Sequence, residues 1–187
     1  MMEIRIHGRG GQGAVVASKA LANAVFKEGK YVQSFPEFGV ERRGAPVTAF
    51  ARIADKGEKR IDLRCKIYEP DHVVILDPTL ISAVDITQGL KDNGWIIINT
   101  DRAPSDFKFP AKFKVSTIDA NTIANKYRLG SKMAPIVNTV ILGAFSKITG
   151  IVGIDAILEA IKEEVPIKAD ENVQAAKEAY ETAIITF

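Results

Sequence analysis

Ile4-Arg5-Ile6-His7-Gly8-Arg9-Gly10-Gly11-Gln12-Gly13-Ala14-Val15-Val16-Ala17-Ser18-Lys19-Ala20-Leu21 is the stretch on which the fold turns. A short apolar strand runs into a glycine-rich turn, and a helix begins near Gln12. Glycine lacks a Cβ, so it tolerates positive φ and lets a ligand or another backbone come close. The first turn of the following helix offers unpaired N–H groups and the positive end of the helix dipole. Together these features suit an anion. Gly8, Gly10 and Gly13 match the G-x-G-x-x-G dinucleotide pattern. The bland alternative is a tight strand-to-helix turn that holds no ligand.

The helix is expected to run from Gln12 to Lys27, with Ala14, Ala17, Leu21, Ala24 and Val25 at helical spacing and Gly29 as its C-terminal cap. Tyr31 to Phe35 reads as a second strand. Next comes Phe35-Pro36-Glu37-Phe38-Gly39-Val40-Glu41-Arg42-Arg43-Gly44-Ala45-Pro46, a long loop with prolines, glycines, two acids and two adjacent arginines. Long loops without structure of their own are usually functional. Of the two arginines, Arg42 is expected to face inward and pair with Glu41 or Glu37, and Arg43 to face outward.

Val47 to Ile53 reads as a strand, with Arg60 to Arg64 as its hairpin partner across Asp55-Lys56-Gly57-Glu58-Lys59. His72 to Asp77 is apolar on both faces, like a strand covered on both sides. A helix is expected over Thr79 to Leu90, strands over Trp95 to Asn99 and Phe113 to Thr117, and an exposed loop between them. Asp119 caps a helix reaching Tyr127. From Gly130 onward the pattern is helical: Ile136 to Thr149, Asp155 to Val165, and Asp170 to Thr182, the last with so thin an apolar face that it belongs on the surface or against a partner. The sum is one domain over residues 1–187. It is an α/β fold of three α/β/α layers, with helices on both faces of a mostly parallel, partly antiparallel sheet and a helical C-terminal part.

Composition narrows the function. The 187 residues are 47% hydrophobic and 26% charged, with a net charge of +2. These values fit a soluble globular protein and are too mild for a nucleic-acid binder. No run reaches the length of a membrane span, and no leader precedes the first strand, so the expected location is cytoplasmic. Cys65 is the single cysteine, which excludes an internal disulfide and a four-thiolate iron–sulfur cluster held by this chain alone. It reads as a small buried hydrophobe rather than a nucleophile. His7 and His72 lie in no metal-ligand spacing, and His7 suits a hydrogen-bonded structural role. No nucleophile elbow, Walker loop or catalytic acid pair occurs. Neither a catalytic nor a metal-binding residue is therefore assigned, and the chain reads as a subunit or binding module.

Three segments together carry a resemblance: Gly8-Arg9-Gly10-Gly11-Gln12-Gly13, the loop from Phe35 to Val47, and Val137-Asn138-Thr139-Val140-Ile141-Leu142-Gly143-Ala144, with Pro70 to Asp77 between them. The chain resembles the gamma subunit of 2-oxoacid:ferredoxin oxidoreductases, in particular that of the pyruvate enzyme. One departure is Val137, where the family commonly has proline. The resemblance implies an enzyme that oxidatively decarboxylates a 2-oxoacid, reduces ferredoxin and transfers the acyl group to coenzyme A. Thiamine diphosphate would sit on the alpha and beta subunits, and iron–sulfur clusters on the beta and delta subunits. The gamma subunit would bind no cofactor alone but help to cover coenzyme A. Carried over residue by residue are Gly8, Gly10, Gly11, Gln12 and Gly13 as the turn, and Glu41, Arg42 and Gly44 as the core of the loop. Arg9 and Arg43 complete the candidate binding set.

Two other classes compete. One is a stand-alone Rossmann-like nucleotide-binding oxidoreductase, with Glu37 as the ribose-binding acid; the absence of a helical crossover after the second strand tells against it. The other is a scaffold whose glycine turn is empty.

Overall fold

A computed structural model describes residues 1–37, 42–57, 61–63 and 65–184. Its centre is β1 (Met2–Arg9), whose Ile4 and Ile6 are fully buried. The glycine turn follows, then α1 (Ala14–Lys27) and β2 (Tyr31–Pro36). β3 (Pro46–Ala54) inserts antiparallel between β1 and β2, with Ile4 opposite Ala51 and Phe35 opposite Phe50. On the other side of β1 lie β4 (His72–Ile75), β5 (Trp95–Asn99) and β6 (Lys114–Ile118), all parallel to it. The sheet order is β2-β3-β1-β4-β5-β6. α2 (Ala120–Lys126) comes next, then a small hairpin of β7 (Gly130–Ser131) and β8 (Ala134–Pro135). The helices α3 (Val140–Thr149), α4 (Ile154–Glu164) and α5 (Ala169–Thr182) complete the chain. This is an α/β fold with a mixed sheet and a helical C-terminal part.

The two faces of the sheet are covered differently. Even-numbered β1 residues and Ala49, Ala51, Val74 and Ile97 face one side, where they meet buried residues of all five helices. Alanines at Ala14, Ala17, Ala20 and Ala24 bring α1 close to the strands, so the burial is tight. The opposite face carries Val73, Ile75, Ile96 and Ile98, packed under Ile86, Leu90 and Phe107, Phe109 and Phe113. This layer contains no α-helix among the described residues. Where a helix was expected over Thr79 to Leu90, a 3-10 turn spans Pro78–Ser82 and irregular chain follows. Asp85 Oδ1 accepts from the N–H of Thr87 at 3.0 Å, and the carbonyls of Ile86 and Gln88 accept from the Arg5 guanidinium at 2.9 and 2.8 Å. A side chain from β1 thus replaces the helical ladder.

Other expectations change as well. Residues 61–63 are not a strand, because β3 is already paired on both edges; Glu58, Lys59, Arg60 and Arg64 lie outside the described residues. The expected hairpin is instead β2 with β3. Cys65 is exposed, not buried. Residues 130–135 form the β7–β8 hairpin rather than the start of a helix. α5 is also less superficial than its composition suggests. Ala175, Ala176 and Ala179 are fully buried, and Thr139 Oγ1, just before α3, donates to Asn172 Oδ1 at 2.6 Å. Among the described residues no helix is long and apolar enough to cross a membrane.

Candidate functional site

After β1 the chain moves to one side of the sheet, and after β3 it crosses to the other. The carboxyl ends of β1 and β4 therefore flank a topological switch point, where open α/β sheets form their binding crevices. A cleft of about 640 Å³ lies there. The glycine turn supplies one wall, Asp77 and Asn99 the base, and Asn121, Asn125 and the β7–β8 hairpin the opposite side.

Local chemistry explains the turn. Gly13 is the N-cap of α1 at φ 78°, a left-handed conformation that L side chains rarely adopt. A Cβ there would also meet Asn138 Nδ2. Gly10 is needed for close approach: a Cβ would run into the Arg42 carbonyl oxygen. The arginine loop is tied to the turn here, because Gly10 N–H donates to Ala45 O at 2.9 Å and Gly44 N–H donates to Gly10 O at 3.0 Å. Gly10→Ala and Gly13→Ala are each expected to cost about 1–3 kcal/mol. Thermal melting of the full chain checks this, and a parent-like melting temperature in both variants refutes the close packing described.

Arg9 and Gln12 hold the turn in place. Arg9 Nε donates to Asp77 Oδ2 at 3.0 Å, Nη1 to Gly44 O at 3.0 Å and Nη2 to Thr79 Oγ1 at 2.7 Å. Gln12 Oε1 accepts from the Arg9 N–H at 2.7 Å, and its Nε2 donates to Asp77 Oδ2 at 3.2 Å. Burial alone would raise the Asp77 carboxyl. Hydrogen bonds from the Thr79 hydroxyl and N–H and from Gln12, with the Arg9 charge, hold it below the usual carboxylate range instead. Asp77 is thus an ionised anchor joining the glycine turn, the arginine loop and the end of β4.

Of the other candidates, Gly8 leads into the turn, with space for a Cβ limited by Leu76, and Gly11 stands at φ 95° in the cleft wall. Arg42 and Arg43 are both exposed, and neither makes an ion pair among the described residues. The expected inward pairing of Arg42 is therefore corrected: Glu37 pairs with Lys66 at 3.1 Å, while Glu41 lies outside the described residues, as do Phe38, Gly39 and Val40. Arg43 instead forms a backbone bridge beside Gly10. Glu37 lines a different cleft from the glycine turn, so it is not placed to act as a ribose-binding acid.

The residue that sequence reasoning left without a role is Asn138. Its Nδ2 donates to Gly13 O at 3.2 Å, which fixes the amide orientation. Oδ1 is buried and has no hydrogen-bond partner among the described residues. An orphaned buried acceptor is costly in a folded protein. Asn138 is only 5% exposed, yet it lines the cleft beside the uncapped start of α1. The only signal for it in the sequence was its place in the Val137–Ala144 segment. Val137, the departure from the family pattern, is buried, and its carbonyl accepts from Ile141 N–H at 3.0 Å, so the turn into α3 forms without proline.

The site therefore offers helix N–H groups for an anion and one buried acceptor for a donor. Among the described residues no histidine or cysteine lines it, and no three His, Cys, Asp or Glu side chains are grouped to hold a metal.

Residues 3–182 match the family model described as pyruvate ferredoxin/flavodoxin oxidoreductase. The chain is 54% identical over 185 residues to the pyruvate/ketoisovalerate oxidoreductases common subunit gamma of Pyrococcus furiosus, covering 97% of this chain and 96% of that one. It is 52% identical over 182 residues to pyruvate synthase subunit PorC of Methanothermobacter thermautotrophicus, covering 97% and 95%. The crystal structure of the pyruvate oxidoreductase subunit PORC of Thermotoga maritima superposes with a TM-score of 0.80 at 38% identity, over 98% of this chain and 97% of that one. These likenesses span nearly the full length of both partners in each comparison and do not support a stand-alone nucleotide-binding enzyme. The chain belongs to the pyruvate ferredoxin/flavodoxin oxidoreductase family, among its gamma subunits.

Proposed function

We propose that this gamma subunit works in a complex with alpha, beta and delta subunits that oxidises pyruvate or a related 2-oxoacid, reduces ferredoxin and forms an acyl-coenzyme A. Its own part is to cover coenzyme A and hold its phosphates near the glycine turn. The observation that carries this reading is the uncapped N-terminus of α1 set in one cleft with the unsatisfied Oδ1 of Asn138. A ligand bearing both anionic groups and N–H or O–H donors matches that pair. Arg42 and Arg43, exposed on the loop bonded to Gly10, add positive charge with no ion-pair partner among the described residues.

Thiamine diphosphate and the iron–sulfur clusters belong to the other subunits in this reading, since one exposed cysteine cannot supply four thiolates. Choice of 2-oxoacid also lies elsewhere, a view supported by a relative named as common to the pyruvate and ketoisovalerate enzymes. In this reading the chain works in the cytoplasm, beside the ferredoxin that the assembly reduces.

The test is the Arg42→Ala/Arg43→Ala double variant in the assembled enzyme. Loss of two charge-assisted contacts is expected to raise the KM for coenzyme A on the order of tenfold, about 1.4 kcal/mol, with kcat little changed. An assembled double variant with the parent's KM overturns the reading. A variant that no longer assembles assigns the arginines to a partner subunit and overturns their role toward coenzyme A.

A further inference from the structure

The face of the sheet turned away from the helices carries a second cleft, of about 480 Å³. At its floor are Arg5 and His7 of β1, only 7% and 8% exposed. Arg5 is rigidly held. Its Nε donates to His7 Nε2 at 3.0 Å, and its Nη2 donates to the Ile86 and Gln88 carbonyls. That first bond fixes the imidazole as the Nδ1–H tautomer. Arg5 Nη1 and His7 Nδ1 have no hydrogen-bond partner among the described residues, and both residues line the cleft.

The guanidinium also lacks a direct counter-ion among the described residues. No carboxylate among the described residues forms an ion pair with it, and Asp85 and Glu37 act on it only from a distance. A buried cation without a counter-ion is costly, and replacement by an apolar side chain would remove that cost. The floor thus presents one fixed positive charge and N–H donors, and the matching ligand group is an anion with acceptor oxygens. Phe50, Ile67 and Val84 make apolar walls. Glu37, Glu69 and Asp85 stand around the cleft, with Lys66 already paired to Glu37. Those acids repel a multiply charged anion more than a singly charged one, so a monoanion fits better than a phosphate ester.

We propose that this cleft binds a small monocarboxylate with a short apolar tail, its oxygens on Arg5 Nη1 and His7 Nδ1–H and its tail against Phe50, Ile67 and Val84. The site is separate from the glycine turn and does not depend on the role given to that turn.

The chain has two histidines, so selective isotope labelling of histidine in the full-length protein yields two ring signals that NMR can follow. Titration with isobutyrate is expected to move the His7 signals saturably in the millimolar range and leave those of His72 in place. Isobutyramide, of the same shape without the charge, and inorganic phosphate are each expected to bind about tenfold or more weakly. Arg5→Gln is expected to abolish the response, with the His72 signals reporting that the fold persists. If that variant does not fold, the comparison of acid, amide and phosphate on the parent protein decides. A response that does not saturate, that moves both histidines together, or that is as strong for the amide or phosphate as for the acid overturns the proposal.

Discussion

Arg52→Ala is expected to destabilise the chain by roughly 3–5 kcal/mol, the largest effect of a single substitution foreseen here. Arg52 lies on β3 and is 1% exposed. Its Nε donates to Glu3 Oε1 at 2.8 Å, Nη1 to Gln33 Oε1 at 2.9 Å, and Nη2 to the Cys65 carbonyl at 2.7 Å. Its guanidinium also lies over the Phe35 ring, 5.0 Å from the centroid. One side chain thus ties β1, β2 and the chain at Leu63 and Cys65 to β3. Alanine would leave Glu3, whose side chain is 13% exposed, without its counter-charge, and would open a hole beside Phe35. Because breaking a buried pair costs more than removing both members, Glu3→Gln/Arg52→Met should be less damaged than Arg52→Met alone. For a chain of this size, melting should fall by roughly 6–20 °C in Arg52→Ala. Amide exchange should rise first around residues 65–69, of which Lys66, Ile67, Tyr68 and Glu69 line the second cleft. A parent-like melting curve for Arg52→Ala is the result that defeats this account.

Acidification is expected to weaken the fold through His7. Burial, and secondarily the neighbouring Arg5 charge, push its imidazole down to about 3. In the unfolded chain the same ring takes up a proton near pH 6.5. Between these values the unfolded state binds more protons, so stability falls as pH falls, by about 1.4 kcal/mol for each pH unit well below 6.5. Above pH 6.5 the ring is neutral in both states and contributes no slope. His72, also lowered chiefly by burial, adds in the same direction. The variant to compare is His7→Gln, whose amide oxygen can still accept from Arg5 Nε but does not titrate. Denaturant unfolding at a series of pH values should show a flatter acid limb in His7→Gln than in the parent. Coincident acid limbs in the two proteins would contradict the assignment. The same chemistry bears on the second cleft, since a neutral His7 keeps a single N–H aimed at its ligand across the physiological range.

Local chemistry was enough to read much of this protein from its sequence. Apolar residues at helical spacing, Asp119 before a helix and glycines at the strand-to-helix turn each state their own structure within a few residues, and α1, β5, α2 and α4 appear close to where their patterns place them. The likeness of the glycine turn and the arginine loop to one family was legible for the same reason, since both are short contiguous motifs. What sequence could not determine depends on partners far along the chain. An alternating strand does not state which edge it joins, so β3 paired with β1 and β2 rather than with residues 61–63. The Thr79–Leu90 pattern did not become a helix, because Arg5, more than eighty positions away, takes two of its carbonyls. Cys65 stayed exposed because the segment around it is held by its backbone carbonyls to Arg52 rather than packed as a strand. Arg42 is exposed, and it is Lys66, distant in sequence, that pairs with Glu37. Above all, the unsatisfied oxygen of Asn138 and the unpaired charge of Arg5 are properties of surroundings, and only the folded chain brings those surroundings together around them.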